Sequence, residues 1–457
     1  MLLLPPERTV TTMRYLFIAC ASVAAVCAGT PAAYAQGFGA QPAKPRPFGR
    51  VSFFASSSRT SVDGGETRTV TELTTALSYQ LPDVDEGGAD YGVDVRYATY
   101  SQAGRPARTS LYEGFVGMRF LGGRVRARGG HLWVGDVGAL GSVAGAVLEL
   151  RQSRRTPDAG RFRAGAFGGL EPNIRDIGYA DQVTKFGVYG AYDGAGARRH
   201  SIGYVAVRQS KLTERSVLTT THFVPVGRKL FIYQAAEFNL APPVGLGESG
   251  LAYLFANVRV TPTDRVELQG MYNRGRSVDA RGLGEDLING RPIPQRSIDG
   301  LQYESGGGRL TVEVLSGVRV YGGVSLDMDN RDTSRTRRIQ VGGYASNVAR
   351  SGFDLTVSES LMQRVAGSYE SRYVSVGRQL GRRAYATLDY SSSLSIVRFS
   401  RSDGLVIETR PHASRVSATV TASLDRSWSL NGMVERSSGD DRFRDLRLLA
   451  GVAYRIR

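Results

Sequence analysis

The hydrophobic and polar residues of this chain alternate one by one over most of its length. Between about Arg50 and Arg457 the alternation runs in segments of roughly 10–15 residues, which turn-forming clusters separate. A period of two is typical of β-strands, because successive side chains of a strand point to opposite faces. In the clearest segment, Leu251 to Thr261, one face carries Ala252, Leu254, Ala256, Val258 and Val260, and the other carries Tyr253, Phe255, Asn257 and Arg259. The pattern predicts an all-β fold.

The number and regularity of these segments favour a membrane barrel over a soluble sheet protein. About 22 of them follow one another, whereas a soluble sandwich would need interruptions and doubly buried strands. Their length suits a tilted crossing of an apolar band about 25 Å thick. The sequence therefore predicts a transmembrane antiparallel up-and-down β-barrel over residues 50–457. The expected strand number is about 22, with 18 and 20 as the alternative even numbers.

The connections between the segments alternate in length. With the C-terminus placed in the periplasm, most connections on that side are tight and the longer ones lie opposite, as in bacterial barrels. The tight set includes Gly122–Gly123, Val226–Gly227, Pro262–Asp264 and Gly381, and the long set includes Asp136–Gly141, Glu171–Asp181, Ala241–Gly250 and Arg276–Gly300. The longest, Arg276 to Gly300, is expected to fold inward as a constriction, with an outward contact surface as the alternative.

The first 35 residues have the features of a cleaved secretory signal peptide. Arg14 supplies the charged region, Tyr15 to Ala28 is the apolar region, and Ala33-Tyr34-Ala35 is a small-residue cleavage site. An N-terminal membrane anchor is the alternative. Residues 36–49 are rich in proline and glycine, which predicts a periplasmic tether. Both cysteines, Cys20 and Cys27, lie in the predicted signal, so the mature chain is expected to have neither a disulfide nor a thiolate metal site.

The last predicted strand carries a local motif. One of its faces is apolar up to the chain terminus, with Leu446, Leu448, Ala450, Val452, Tyr454 and Ile456. Gly451 is followed by hydrophobic residues three and five positions later, Tyr454 and Ile456, and this spacing resembles the assembly signal of outer-membrane proteins. The chain departs from that signal at Leu449, where a polar residue is usual, and at Arg457, where an aromatic residue is usual. The resemblance implies recognition by the barrel-assembly machinery.

Composition and charge narrow the class of protein. The chain has 457 residues, 41% of them hydrophobic, and its mean hydropathy of −0.21 is too polar for a bundle of membrane helices. The net charge is +16, and the basic residues, nearly all arginine, are spread singly through the strand-like segments. This distribution argues against a nucleic-acid partner and favours a basic lumen or a basic rim facing lipid headgroups.

Over residues 50–457 the chain resembles porin-like bacterial outer-membrane barrels as a class. The resemblance implies the outer membrane of a Gram-negative-type bacterium, contact with outer-membrane lipid and lipopolysaccharide, and passage of small hydrophilic solutes. A plugged transporter is not expected, because only residues 36–49 precede the first predicted strand.

The polar faces of the strands are predicted to line the interior, because a charged residue facing lipid costs about 2–4 kcal/mol near the bilayer midplane. An excess of arginine there predicts a preference for anions. The alternative is a structural network of ion pairs that fills the interior. The predicted pore-lining residues are Arg259, Arg265, Glu267, Gln269, Arg319, Tyr321, Asp327, Arg383, Tyr385 and Asp389.

No motif indicates catalysis, a cofactor or a metal. Gly245 to Gly250 fits the pattern GxGxxG, but two prolines precede it and a strand follows it, which does not suit a nucleotide site. The four histidines, His131, His200, His222 and His412, lack metal-site spacing. The expected function is passive diffusion of small hydrophilic solutes, with anions favoured. The alternatives are a closed structural or adhesive barrel whose extracellular loops bind a partner, and a hydrolase with its site at the rim.

Overall fold

The computed structural model describes residues 48–456, apart from residues 63–64, 66, 82–87, 154–158, 174–176, 332–334, 365–366, 401–405 and 441–442. The predicted signal peptide, its cleavage site and the tether up to residue 47 lie outside the described residues. The last two residues of the predicted tether, Phe48 and Gly49, instead begin the first strand and pair with Gln80 and Tyr79 of the second. In the described ranges, no helix is long and apolar enough to cross a bilayer.

The described chain consists almost entirely of β-segments that follow one another along the sequence. Two helices, α1 (Ala280–Ile288) and α2 (Gln295–Asp299), lie between β13 and β14, and short 3₁₀ turns occur at Gly135–Gly141, Ala195–Ala197, Pro243–Gly245 and Val348–Arg350. The segments are β1 Phe48–Ser61, β2 Arg68–Gln80, β3 Gly88–Tyr100, β4 Arg108–Phe120, β5 Val125–Trp133, β6 Ser142–Arg151, β7 Arg161–Pro172, β8 Tyr179–Asp193, β9 Arg199–Gln209, β10 Leu212–Val226, β11 Leu230–Asn239, β12 Gly250–Thr263, β13 Val266–Ser277, β14 Leu301–Leu315, β15 Val318–Asp329, β16 Thr336–Ala345, β17 Phe353–Arg364, β18 Gly367–Leu380, β19 Ala384–Ser400, β20 Val406–Thr409, β21 His412–Ser423, β22 Trp428–Gly439 and β23 Arg444–Ile456.

The sheet closes on itself. β1 pairs antiparallel with β23, from Gly49 opposite Ile456 to Ser61 opposite Arg444. The short β20 and the longer β21 both pair with β19 and share one position in the wall. Pro411 lies between them, and because proline has no amide N–H it interrupts the ladder. The barrel therefore has 22 strands, all antiparallel, which confirms the predicted fold class and the predicted even number.

Many of the outward side chains of the barrel are apolar. Leu268, Val320, Val324 and Leu388 are all exposed there, although each alternates with polar neighbours along its strand. These apolar residues are suited to the hydrocarbon of a bilayer, where a closed barrel leaves no unpaired backbone edge. The rings of Trp428 and Tyr454 pack together 4.8 Å apart at the end that holds the C-terminus, as expected for an interfacial aromatic girdle.

The connections at the two ends differ in length, as the sequence predicts. At the end that holds the C-terminus most are short, with longer exceptions at residues 81–87 and 152–160; the short ones include residues 121–124, 227–229, 264–265 and 381–383. The opposite end holds the longer connections at residues 134–141, 173–178, 240–249 and 278–300. Because bacterial barrels have their long loops outside, these two ends are named periplasmic and extracellular below.

The interior is filled unevenly. An apolar cluster lies on the inner faces of β4–β10, and it includes Leu132, Val143, Val205 and Val217, all fully buried. Residues 134–141, called the inward loop, contribute the buried Val137 and Leu140 to this cluster and contact β8, β9 and β10. On the opposite wall, from β12 to β1, most inward side chains are exposed or half-buried.

Candidate functional site

The inner face of each strand follows from the strand register. The inward loop packs on Val205, Val207 and Val217 of β9 and β10, so these three residues face the interior. Directly paired residues share a face of the sheet, so the inner face can be followed from strand to strand. It contains the odd-numbered residues of β11 to β15, the even-numbered ones of β16 and β17, and the odd-numbered ones of β18, β19, β21, β22 and β23.

Most of the predicted pore-lining residues lie within strands on this inner face: Arg259, Glu267, Gln269, Arg319, Tyr321, Asp327, Tyr385 and Asp389. The first six lie together on β12, β13 and β15, whereas Tyr385 and Asp389 lie on β19. The other two, Arg265 and Arg383, lie in turns at the periplasmic end. That these residues line a conducting pore stays a prediction.

Several inward charges are held by polar partners. Arg319 Nε donates to Glu313 Oε2 at 3.0 Å. On the far wall, Tyr385 Oη donates to Asp354 Oδ2 at 2.8 Å, and Tyr373 Oη donates to Asp389 Oδ1 at 2.8 Å. These contacts fix side chains against the wall, and the Arg319–Glu313 pair adds no net charge.

Two inward arginines form a row that has no carboxylate partner among the described residues. Arg259 and Arg309 flank Gln269 in direct register across β12, β13 and β14, and these three residues are called the arginine row. The Arg259 guanidinium lies 5.4 Å from the centre of the Phe231 ring, and that of Arg309 lies 3.7 Å from the centre of the Tyr321 ring. Cation–π contacts position a guanidinium without neutralising it, so this row gives the wall a net positive charge.

The sequence did not reveal Arg309. It follows Gly306, Gly307 and Gly308, and three glycines in succession give no alternation from which a face can be read. The only available signal was its pairing with Gln269, which requires the correct register of β13 against β14.

The packed side of the interior contains a buried charge network centred on Arg163 of β7. Its guanidinium donates to Asp193 Oδ2 at 2.7 Å and to Asp136 Oδ2 at 2.8 Å. It also donates to Glu149 Oε2 at 2.9 Å, and Tyr189 Oη donates to the same oxygen at 2.6 Å. The Arg163 side chain is only 8% exposed. Charges this deeply buried are tolerated because each is paired and hydrogen-bonded.

A second group of buried charges lies on β3 to β5. Asp90 accepts hydrogen bonds from Arg119 Nη2 at 3.1 Å and from Arg126 Nη2 at 2.9 Å. Together with the Arg163 network, this group matches the alternative prediction of ion pairs that fill the interior, but it does so on β3 to β8. The arginine row on β12 to β14 differs from both groups, because its two guanidinium groups are not paired with any carboxylate in the described ranges.

The charge network and the space left by Gly203 both hold the inward loop in the interior. Asp136 of the loop binds Arg163 and also accepts from Arg199 Nη2 at 2.8 Å. Gly203 of β9 leaves the space that Val137 occupies, because a Cβ atom at residue 203 would lie 2.5 Å from Val137 Cγ1. The loop therefore narrows the interior from the packed side.

Gly203→Val should displace the inward loop. The added side chain would occupy the space of Val137, and overpacking of this kind costs about 1–3 kcal/mol. We expect lower resistance to urea and a larger, noisier conductance in planar bilayers. Gly190→Val is the matched control, because a Cβ atom at residue 190 meets no atom within 4 Å. Equal behaviour of the two variants would show that Val137 does not depend on Gly203.

The helix α1 of the longest connection folds inward at the extracellular end. Arg281 Nη2 lies 3.2 Å from Glu214 Oε2 of β10 and 3.5 Å from Glu171 Oε1 of β7. Glu171 in turn binds Lys185, a buried residue of the inner face, at 3.3 Å. Since α1 follows β13, these contacts carry it across the mouth toward the packed wall, as the sequence predicts for this connection.

Two glycines allow close packing of the connection between β13 and β14. A Cβ atom at residue 284 would lie 2.7 Å from Gln209 Oε1 at the end of β9. Gly247, one of the glycines of the GxGxxG pattern, lies against Ile298 and Arg276 of the same connection. Arg276 also donates to the backbone oxygens of Ile298 at 3.0 Å and Asp299 at 2.9 Å. Gly247 of the glycine pattern thus serves loop packing in the structure.

Two histidines that are distant in sequence meet on the outer face. His200 Nδ1 lies 3.0 Å from His222 Nδ1, and the two residues are directly paired across β9 and β10. The spacing of the histidines gave no hint of this pair. Within the described ranges, no group of three or more His, Cys, Asp or Glu side chains could hold a metal ion.

The residues of the predicted assembly signal lie on both faces of β23. Tyr454 and Ile456 face outward, whereas Gly451 faces inward against Phe54 of β1. A Cβ atom at residue 451 would lie 2.4 Å from Phe54 Cδ1, so the glycine allows this contact at the closing seam. Its role in assembly stays a prediction.

Comparison with known proteins gives a likeness of fold alone. No family model matches the chain, and no curated protein does. Similar solved structures include the crystal structure of Acinetobacter baumannii OccAB4, with 9% identity over 91% of this chain and 100% of that chain and a TM-score of 0.41. They also include Pseudomonas aeruginosa OpdL, with 9% identity over 91% and 99% and a TM-score of 0.43, and Pseudomonas aeruginosa OpdQ, with 9% identity over 90% and 97% and a TM-score of 0.40. By its own strand order and closure, the chain is an antiparallel up-and-down β-barrel of 22 strands.

Proposed function

We propose that this barrel is a passive outer-membrane channel for small hydrophilic solutes and that it prefers anions. The observation that carries the proposal is the arginine row, Arg259–Gln269–Arg309, on the less densely packed wall of the interior. Unpaired guanidinium groups lining an aqueous path attract anions and repel cations. The inward loop and α1 narrow the path from the opposite side, which brings a passing solute closer to this row.

Removal of the arginine row tests the proposal. In a planar bilayer under a salt gradient, the wild-type barrel should give discrete steps with a reversal potential on the anion side. The double variant Arg259→Gln/Arg309→Gln should lower the ratio of anion to cation permeability by roughly threefold, because two fixed positive charges leave the lumen. The conductance itself should change less, since glutamine nearly preserves the width of the path.

The control for this experiment is Arg337→Gln, which removes a positive charge from the outer face of β16. It should leave the selectivity unchanged. A double variant with wild-type selectivity would refute the role of the arginine row. A correctly folded barrel that gives no conductance would refute the channel and favour a closed barrel whose extracellular loops bind a partner. The inward loop, α1 and the buried charges are also compatible with a closed barrel.

The proposal includes the route by which the chain reaches the membrane. Export would use the signal peptide of residues 1–35, and residues 36–47, which precede β1, would remain as a periplasmic tether. The assembly machinery would recognise the region of Gly451, Tyr454 and Ile456. The apolar outer face and the aromatic pair Trp428–Tyr454 support a final location in the outer membrane. No catalytic step is part of the proposed function.

A further inference from the structure

Three arginines form a cluster on the outer face of the barrel, where β1 closes against β23. Arg59 of β1 and Arg436 of β22 are both directly paired with Leu446 of β23, one on each side. Arg444, the first residue of β23, lies two residues before Leu446, toward the extracellular end. Neighbouring strands are about 4.8 Å apart, so the backbones of Arg59 and Arg436 are about 10 Å apart. These three residues are called the seam arginines.

Among the described residues, the seam arginines have no acidic partner on their face. No ion pair joins any of them to a carboxylate within the ranges that the structure describes, and all three are exposed. The outward residues around them carry hydroxyl groups instead: Ser57, Ser61, Thr69, Thr71, Ser414 and Ser438. The acids of the same strands, such as Glu435 and Asp445, lie on the inner face. The surface therefore offers positive charge and hydroxyl groups to a ligand that approaches from the membrane.

An apolar groove of about 540 Å³ begins directly below the seam arginines on the same strands. Its floor is a row of small residues, Gly432, Ala450 and Ala55, which are directly paired across β22, β23 and β1. Val434 and Leu448 border the groove on the side of the arginines. A groove with a smooth floor, below a cationic cluster, matches the shape of an amphiphile with an anionic head and a hydrocarbon chain.

We infer that this face binds a phosphorylated glycolipid of the outer leaflet, that is, the lipid A part of lipopolysaccharide. The seam arginines lie near the end with long connections, which faces the cell exterior, so the neighbouring lipid belongs to the outer leaflet. Guanidinium groups bind phosphate through paired, charge-assisted hydrogen bonds, and the hydroxyl residues can bind the sugar. An acyl chain would occupy the groove. This inference rests on the proposed outer-membrane location but not on the proposed channel, because the site lies outside the lumen.

The test uses full barrels refolded in detergent, so that no lipopolysaccharide is carried over, and diphosphoryl lipid A as the probe. Arg59→Gln/Arg436→Gln/Arg444→Gln should weaken binding at least about tenfold in a thermophoresis titration, because several charge-assisted hydrogen bonds are lost. The charge-matched control is Arg274→Gln/Arg337→Gln/Arg372→Gln, three outward arginines on β13, β16 and β18. It should weaken binding less than about twofold.

Further probes show which chemical groups of the ligand the site recognises. Lipid A without its phosphates should bind the wild type about as weakly as diphosphoryl lipid A binds the seam variant, within roughly twofold. Phosphatidylglycerol and inorganic phosphate should bind at least about tenfold more weakly than diphosphoryl lipid A. Equal loss in both triple variants, or equal binding of phosphatidylglycerol, would reduce the site to general attraction between charges and overturn the inference.

A separate substitution tests whether the groove holds the acyl chain. A Cβ atom at Gly432 meets nothing within 4 Å, so Gly432→Leu should fold normally and fill the groove. Lipid A binding should then fall severalfold, while the shift of the folded barrel on an unheated gel and the bilayer conductance stay as in the wild type. Unchanged binding would exclude the groove as the acyl site. A change of oligomeric state in Gly432→Leu would show that a second copy of the chain covers this face, and would also overturn the inference.

Discussion

Replacing Arg163 with methionine should destabilise the barrel by about 3–5 kcal/mol, because it leaves buried carboxylates without their shared partner. Arg163 binds Asp136, Glu149 and Asp193 at once. Methionine fills much of the same volume but offers no hydrogen bond, so the desolvation of these acids is no longer offset. Urea unfolding in lipid vesicles, followed by tryptophan fluorescence and by the heat-dependent gel shift, measures the loss.

The matched control is Arg309→Met, which removes an inward arginine from the exposed arginine row, where its described contact is with the Tyr321 ring. It should cost less than about 1 kcal/mol, as expected for an exposed contact. The loss of stability in Arg163→Lys should fall between those of Arg163→Met and Arg309→Met, since one ammonium cannot reproduce the forked contacts of a guanidinium. If Arg163→Met were as stable as Arg309→Met, the buried network would not support this side of the barrel.

Arg163→Met should also release the inward loop. Asp136 would keep Arg199 as a partner, but that arginine is nearly half exposed, and a contact of this kind holds less firmly. The packed side of the interior therefore couples stability to the width of the path. The arginine row across the lumen depends on neither Arg163 nor the inward loop for its position, because Phe231 and Tyr321 hold its two guanidinium groups.

The sequence predicted the fold of this chain well because the assignment of a residue to the inner or outer face can be read from its own strand alone. A residue on a membrane-spanning strand must be apolar or polar according to the side on which it lies, whatever its partner strand is. Alternation in β12 and β13 therefore placed Arg259, Glu267 and Gln269 on the inner face without any knowledge of the register. The strand number and the long and short ends followed from the same signal.

What the sequence did not show depends on contacts between distant residues. Arg163 meets Asp136 and Asp193 only because β7 lies beside β8 and the loop after β5 turns inward. Gly203 makes space for Val137 across 66 positions of sequence. The cluster of seam arginines needs the closing register of β1 against β23. None of these contacts leaves a periodic pattern in the sequence.

Removing the connection between β13 and β14 should widen the path more than any single substitution. Ser277 and Leu301 are already directly paired, so an Asn-Gly turn can replace residues 278–300 without disturbing the ladder. The deletion takes away α1, which crosses the mouth through the contacts of Arg281 with Glu214 and Glu171. Single-channel conductance should rise at least about twofold, because the width of the narrowest part limits the flow of ions.

Two point variants show whether the position of α1 or only its presence matters. Arg281→Gln breaks the contacts with Glu214 and Glu171 and should raise the conductance part of the way, with larger fluctuations as α1 moves. Arg296→Gln removes an equally charged, exposed residue from the same connection and should leave the conductance unchanged. The deletion also uncovers Glu214 and Glu171, so its selectivity should shift toward cations. A deleted barrel that closes normally but conducts like the wild type would place the narrowest part elsewhere, and the inward loop between β5 and β6 would then be the element that limits the path.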